Sequence, residues 1–66
     1  QSAEVIDWKT DSCAPDELDT KIAHYAPQLS SYRLAASRLL GIGQEKVTTK
    51  LVFTSIGKVV DMTNKT

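Results

Sequence analysis

Two β-like runs separated by a long stretch of helical pattern dictate how this chain can connect. Positions 4–10 read Glu-Val-Ile-Asp-Trp-Lys-Thr, rich in β-branched and aromatic types, and the next such run is Val47-Thr48-Thr49-Lys50-Leu51-Val52-Phe53-Thr54. Strands joined through helical residues lie parallel, by a crossover that is right-handed as a rule. A third run, Lys58-Val59-Val60-Asp61-Met62, follows after only Ser55-Ile56-Gly57, a gap suited to an antiparallel hairpin.

The intervening stretch divides at its prolines. Pro15 followed by Asp16 and Glu17 has the composition of a helix first turn, where a missing donor is harmless and carboxylates meet the positive end of the dipole. That helix is expected to run through about His24. Pro27 cannot extend it and pushes position 26 away from helical angles, so a second helix is expected to begin there. Within it Leu29, Tyr32, Ala36, Leu39 and Leu40 recur at spacings of three and four, an apolar stripe to lay on a sheet. Gly41 and Gly43 end it, and residues 63–66 read as a frayed, disordered tail. The expected fold is α/β: a small mixed sheet of about three strands with two helices on one face.

Size narrows this further. At 66 residues and 7.2 kDa the chain holds one domain at most. Such a chain buries only about 60% of its unfolded surface, and the single Cys13 excludes an internal disulfide, so the core must hold without a staple. No apolar run approaches the roughly 18 residues of a membrane span and no signal-peptide pattern opens the chain, which points to a soluble, cytoplasmic protein. So small a sheet leaves its other face with little cover and the chain begins inside a strand, so residues 1–66 are expected to be a partial domain of a larger fold.

Eight basic residues balance eight acidic ones, but not locally. Residues 1–20 carry six acids against Lys9, and residues 21–66 carry seven bases against Glu45 and Asp61. Two accounts fit: mutual attraction of the halves, or an acidic cation site beside a basic surface facing phosphates. Lys21, Arg33, Arg38, Lys46, Lys50 and Lys58 are the candidate phosphate contacts, with scattered solvated charge as the default.

The chemistry-bearing pattern is Asp7-Trp8-Lys9. On a strand, residues two apart share a face, so carboxylate and ammonium stand side by side while Ile6 and Trp8 point into the opposite layer, Trp8 as a core anchor. A carboxylate that holds Mg²⁺ or Mn²⁺ beside a lysine that orients water or neutralises phosphoryl charge suits phosphodiester hydrolysis. The triplet alone is weak, since an acid-x-Lys arises by chance in about four of ten chains this long. Gln28 and Tyr32, four apart on one helix face, add a donor–acceptor pair that can touch a phosphate or a metal-bound water. His24 is the only histidine and is expected at a helix end, so no histidine cluster or triad can form within the chain. Cys13 lacks basic neighbours in sequence, and Gly41-x-Gly43 follows a helix instead of opening one, so it is a cap and not a phosphate loop.

Taken in order, Val5-Ile6-Asp7-Trp8-Lys9-Thr10-Asp11, then Tyr25-Ala26-Pro27-Gln28-Leu29-Ser30-Ser31-Tyr32, then Leu51-Val52-Phe53 with Gly57-Lys58-Val59-Val60, this string resembles the C-terminal part of the RecB/AddA-type nuclease domain. That domain ends bacterial UvrD-like helicase-nucleases and belongs to the PD-(D/E)XK superfamily. The resemblance spans position 4 to about 62. It implies a piece of the restriction-endonuclease-like core, with Asp7 as the second metal-binding acid, Lys9 as the catalytic lysine, and Gln28 with Tyr32 as the Gln-x-x-x-Tyr motif. Tyr25 matches the tyrosine that often precedes that glutamine. It further implies Mg²⁺-dependent exonucleolytic cleavage of DNA in double-strand-break repair. The partners implied are DNA, the rest of a helicase-nuclease chain, and a second helicase-nuclease subunit. The family's earlier histidine and first metal-binding aspartate precede the strand and are not in this sequence, so the fragment alone is expected to be inactive. The other reading is a noncatalytic scaffold or interaction module.

Overall fold

A computed structural model describes all residues, Gln1–Thr66. Three strands and one long helix make up the chain: β1 (Ala3–Lys9), α1 (Leu18–Leu40), β2 (Val47–Phe53) and β3 (Lys58–Asp61), with 3-10 turns at Pro15–Glu17, Gln44–Lys46 and Thr63–Lys65. The sheet order is β1-β2-β3. β1 and β2 are parallel, with Asp7 beside Leu51 and Lys9 beside Phe53, and β2 and β3 are antiparallel, with Val52 beside Val59. The mixed α/β class and the crossover-then-hairpin connection are those the sequence implies.

The expected pair of helices is one helix. Pro27 lies inside α1, where its nitrogen cannot donate to the Ala23 carbonyl. Interior proline costs about 3 kcal/mol. Against that, the partly buried Leu18, Ile22, Tyr25 and Ala26 before it and the fully buried Leu29 after it pack on the same core; Leu29 alone contributes about 1.5–3 kcal/mol and each of the others a fraction of that. Tertiary burial on both sides of Pro27 outweighs the local penalty. His24 is consequently in the helix interior.

The ends of α1 follow local rules. Pro15 opens the 3-10 turn that feeds it, and Glu17 Oε1 accepts from the Ala14 amide at 3.1 Å. Gly41 closes it at φ 66°, where a Cβ would meet nothing, so only the backbone angle selects glycine. The Ser37 hydroxyl donates to the Ile42 carbonyl just beyond.

Sheet alternation sorts the side chains. Ala3, Val5, Asp7 and Lys9 of β1 and Val47, Thr49, Leu51 and Phe53 of β2 face α1, and Cys13, Leu29, Leu51, Phe53 and Met62 form the core between the layers. On the other face stand Ile6, Trp8, Val52 and Val59, with a Glu4–Lys50 ion pair of 2.9 Å beside them. Trp8 is 63% exposed, not a core anchor, because no second layer covers that face. The helical stripe also departs from expectation: Leu29 is fully buried, but Tyr32, Leu39 and Leu40 are exposed, and the half-buried Arg33 and buried Ser37 face inward.

Residues 63–66, expected as a loose tail, form a turn fastened to the core. Thr63 Oγ1 accepts from the Thr49 amide at 3.1 Å, and the Thr66 hydroxyl lies 2.9 Å from that of the buried Thr49. The Arg33 guanidinium ties helix to both turns, donating to the Gln44 carbonyl at 2.7 and 3.0 Å and to the Thr63 carbonyl at 3.3 Å.

Candidate active site

The period of two on β1 places Asp7 and Lys9 on the helix-facing side. Lys9 Nζ is 3.0 Å from Asp7 Oδ2, and the side chains are only 17% and 20% exposed. The Lys9 backbone is pinned at the strand end, its carbonyl accepting from the Thr54 amide at 3.0 Å and the Thr54 hydroxyl at 3.2 Å. Asp7 Oδ2 itself is buried and accepts no aligned hydrogen bond. Its partner is the Lys9 ammonium, in an ion pair without the alignment of a hydrogen bond.

α1 supplies the second wall. Lys9 Nζ lies 4.1 Å from the centroid of the Tyr25 ring, so the ammonium is held between a carboxylate and a π face. His24 meets the Tyr25 ring edge-on, with centroids 5.1 Å apart. Gln28 and Tyr32 follow Tyr25 at intervals of three and four, on the same flank of the helix, and Gln28 Nε2 donates to the Tyr32 hydroxyl at 2.9 Å. Both are exposed, and neither hydrogen bonds to Asp7 or Lys9. The structure thus brings Asp7, Lys9 and Tyr25 together, with Gln28 and Tyr32 as a separate pair farther along.

An open cleft of about 440 Å³ adjoins Tyr25, lined also by Asp16, Glu17, Thr20, Lys21 and His24. Lys21 is engaged: Nζ meets Asp11 Oδ2 at 2.9 Å and the Ser12 carbonyl at 3.0 Å. The hydrogen bond from Lys21 holds the Asp11 carboxyl below its ordinary range, and the same bond raises the Lys21 ammonium. Lys50 is raised likewise by its bond to Glu4. Two of the three ion pairs thus join the acidic first part of the chain to its basic remainder. With Arg33 spent on carbonyls, the candidate phosphate contacts reduce to Arg38, Lys46 and Lys58, which form no ion pair.

These residues do not by themselves build a Mg²⁺ site. No three acidic, histidine or cysteine side chains converge, whereas Mg²⁺ takes six oxygens in near-octahedral order. Asp7 offers one carboxylate, and the Lys9 ammonium occupies the position next to its open oxygen.

Sequence reasoning assigned no contact to Tyr25 and counted Arg33 among the surface charges. The spacing of Tyr25, Gln28 and Tyr32 on one flank was a readable signal for the first. Nothing in the sequence marked Arg33, whose partners are main-chain carbonyls of distant turns. Compared with protein-family models, curated proteins and solved structures, the chain matches none.

Proposed function

We propose that this chain is the Asp-x-Lys part of a metal-dependent DNA exonuclease domain of the RecB/AddA type, working within a longer helicase-nuclease protein. The observation that carries the reading is the Asp7 carboxylate and the Lys9 ammonium, held 3.0 Å apart on one face of β1 and largely withdrawn from water. An acid and a lysine side by side on one strand face are the pair that metal-assisted phosphodiester hydrolysis uses. In this reading a divalent ion, completed by acids outside these residues, supplies Lewis-acid chemistry. Asp7 contributes one oxygen to that ion. Lys9, on the same face, neutralises charge on the phosphoryl oxygens, and Tyr25 holds its ammonium in place. Gln28 and Tyr32 orient DNA or water from the helix flank.

The test has two arms. In a longer protein that contains this chain, Mn²⁺ should broaden NMR signals around Asp7, and Asp7→Asn should remove the effect. In the same protein, Lys9→Ala should lower DNA cleavage by about 10²–10³-fold, the usual loss for one electrostatic stabiliser, with the fold intact. Undiminished cleavage would remove Lys9 from the chemistry.

A second reading, a noncatalytic interaction module, is favoured by the uncovered sheet face of Ile6, Trp8, Val52 and Val59. An upstream strand bearing a second acid in the longer protein supports the nuclease; its absence supports the module.

A further inference from the structure

Asp7 already has a cation. Lys9 Nζ stands 3.0 Å from its Oδ2, and the chain's other ion pairs, Lys21 with Asp11 and Lys50 with Glu4, involve neither residue. A carboxylate largely withdrawn from water needs a counter-charge, and here it comes from the same strand face, two residues on.

The same ammonium has a second seat. It lies 4.1 Å from the centroid of the Tyr25 ring, within the range of a cation–π contact. That ring is carried by α1, packs against the core and meets His24 edge-on. The Lys9 backbone is fixed at the end of β1 by Thr54, whose amide and hydroxyl both bond the Lys9 carbonyl. Rotation of its own flexible stem therefore suffices for the ammonium to trade the carboxylate for the ring, with strand and helix unmoved.

The pair leaves little room for another cation. A divalent ion on Oδ2 at the ordinary distance of about 2.1 Å would stand no more than about 5 Å from an ammonium that keeps its 3.0 Å contact with the same oxygen. A doubly and a singly charged cation at that separation repel by the equivalent of about tenfold in affinity even at the dielectric of water, and by more in a site so little exposed. No group of three acidic, histidine or cysteine side chains on the chain offsets that repulsion.

We infer that Lys9 is the resident counter-ion of Asp7 and opposes divalent-cation binding at that carboxylate, with the Tyr25 ring as the alternative seat of its ammonium. For the ion this rests on the nuclease reading; for the ammonium it rests on Asp7, Lys9 and Tyr25 alone. Lys9 then acts in two opposite senses at one site. It keeps the carboxylate neutralised until acids outside these residues help an ion to displace it, and from Tyr25 it stays within reach of the phosphoryl oxygens. Tyr25 is a positioning residue in this scheme.

Two measurements test it. In the metal-free 66-residue chain, Asp7→Leu removes the carboxylate seat, and Asp7→Asn removes its charge with the side-chain shape kept. The Lys9 ε-protons should then move farther upfield than in the native chain, under the ring current of Tyr25, and adding Tyr25→Leu should abolish the shift. Ordinary ε-proton positions in both Asp7 variants, with native circular dichroism, overturn the second seat. In a longer protein that contains this chain, Lys9→Met should bind Mn²⁺ about tenfold more tightly than the native protein by calorimetry, and Asp7→Asn should abolish the binding. Equal or weaker binding by Lys9→Met overturns the antagonism and leaves the nuclease reading standing. Binding that survives Asp7→Asn, or no binding at all, removes the ion from Asp7 and takes both the nuclease reading and this inference with it.

Discussion

The Lys9 ammonium sits 4.1 Å from the centroid of the Tyr25 ring, joining the end of β1 to the middle of α1. This contact, together with the 3.0 Å approach to Asp7, restricts a long side chain that would otherwise sample many rotamers.

Replacing Tyr25 by Leu should therefore free Lys9, whereas Phe should retain it. The Lys9 ε-protons, over the ring face, should be shifted upfield in the native chain and in Tyr25→Phe and return to ordinary values in Tyr25→Leu. The cation–π part of the stability loss should be about 0.5–1 kcal/mol, the increment between the two variants in urea unfolding. Equal shifts in Phe and Leu variants would show that the ring does not hold the ammonium.

Arg33→Ala should destabilise the fold by about 1.5–3 kcal/mol, since it strips the Gln44 and Thr63 carbonyls of a charged donor. Lysine has one point charge in place of a planar fork and should recover only part of the loss. Hydrogen exchange at the amides of residues 44–49 and 62–66 should accelerate first, because both turns lose their tie to α1.

Pro27→Ala should raise stability. The exposed proline withholds a donor from the Ala23 carbonyl, and alanine restores the bond at a cost-free position. A gain of up to about 3 kcal/mol in urea unfolding is expected. No gain would mean that the helix geometry around residue 23 is set by packing and cannot accept the added bond.

The pH profile should be flat near neutrality and fall at both extremes. Asp11, bonded to Lys21, and Asp61, bonded first by the Thr63 amide, have carboxyl groups lowered from their ordinary 3.8, so their stabilisation is present above that value and is lost as acid titrates the folded form. Lys21 and Lys50 are raised from 10.5, so theirs is complete below that value and is lost as the pH climbs through the folded-state range. Asp11 and Asp61 are exposed and Lys21 and Lys50 partly so, so the slopes should be shallow and weaken in high salt. Urea midpoints against pH, with Asp11→Asn and Lys50→Met, separate the acid limb from the alkaline one.

What was legible in the chain was whatever depends on neighbours in sequence. Strand alternation put Asp7 and Lys9 on one face, the long helical stretch forced β1 and β2 parallel, the short Ser55-Ile56-Gly57 gap turned β3 back, and Gly41 ended the helix where its φ of 66° is needed. Tertiary structure decided the rest, because burial sums over contacts that no local window contains. Pro27 obeys its local rule in isolation, but apolar anchors on both sides carry the helix through it. Tyr32 and Leu39 satisfy a helical stripe yet stay exposed, since the helix is registered on the sheet by Tyr25, Leu29 and Arg33 instead. Trp8 has the composition of a core residue and lies in the open for the same reason: alternation determines which face a side chain takes, but only a packed second layer determines whether that face is inside.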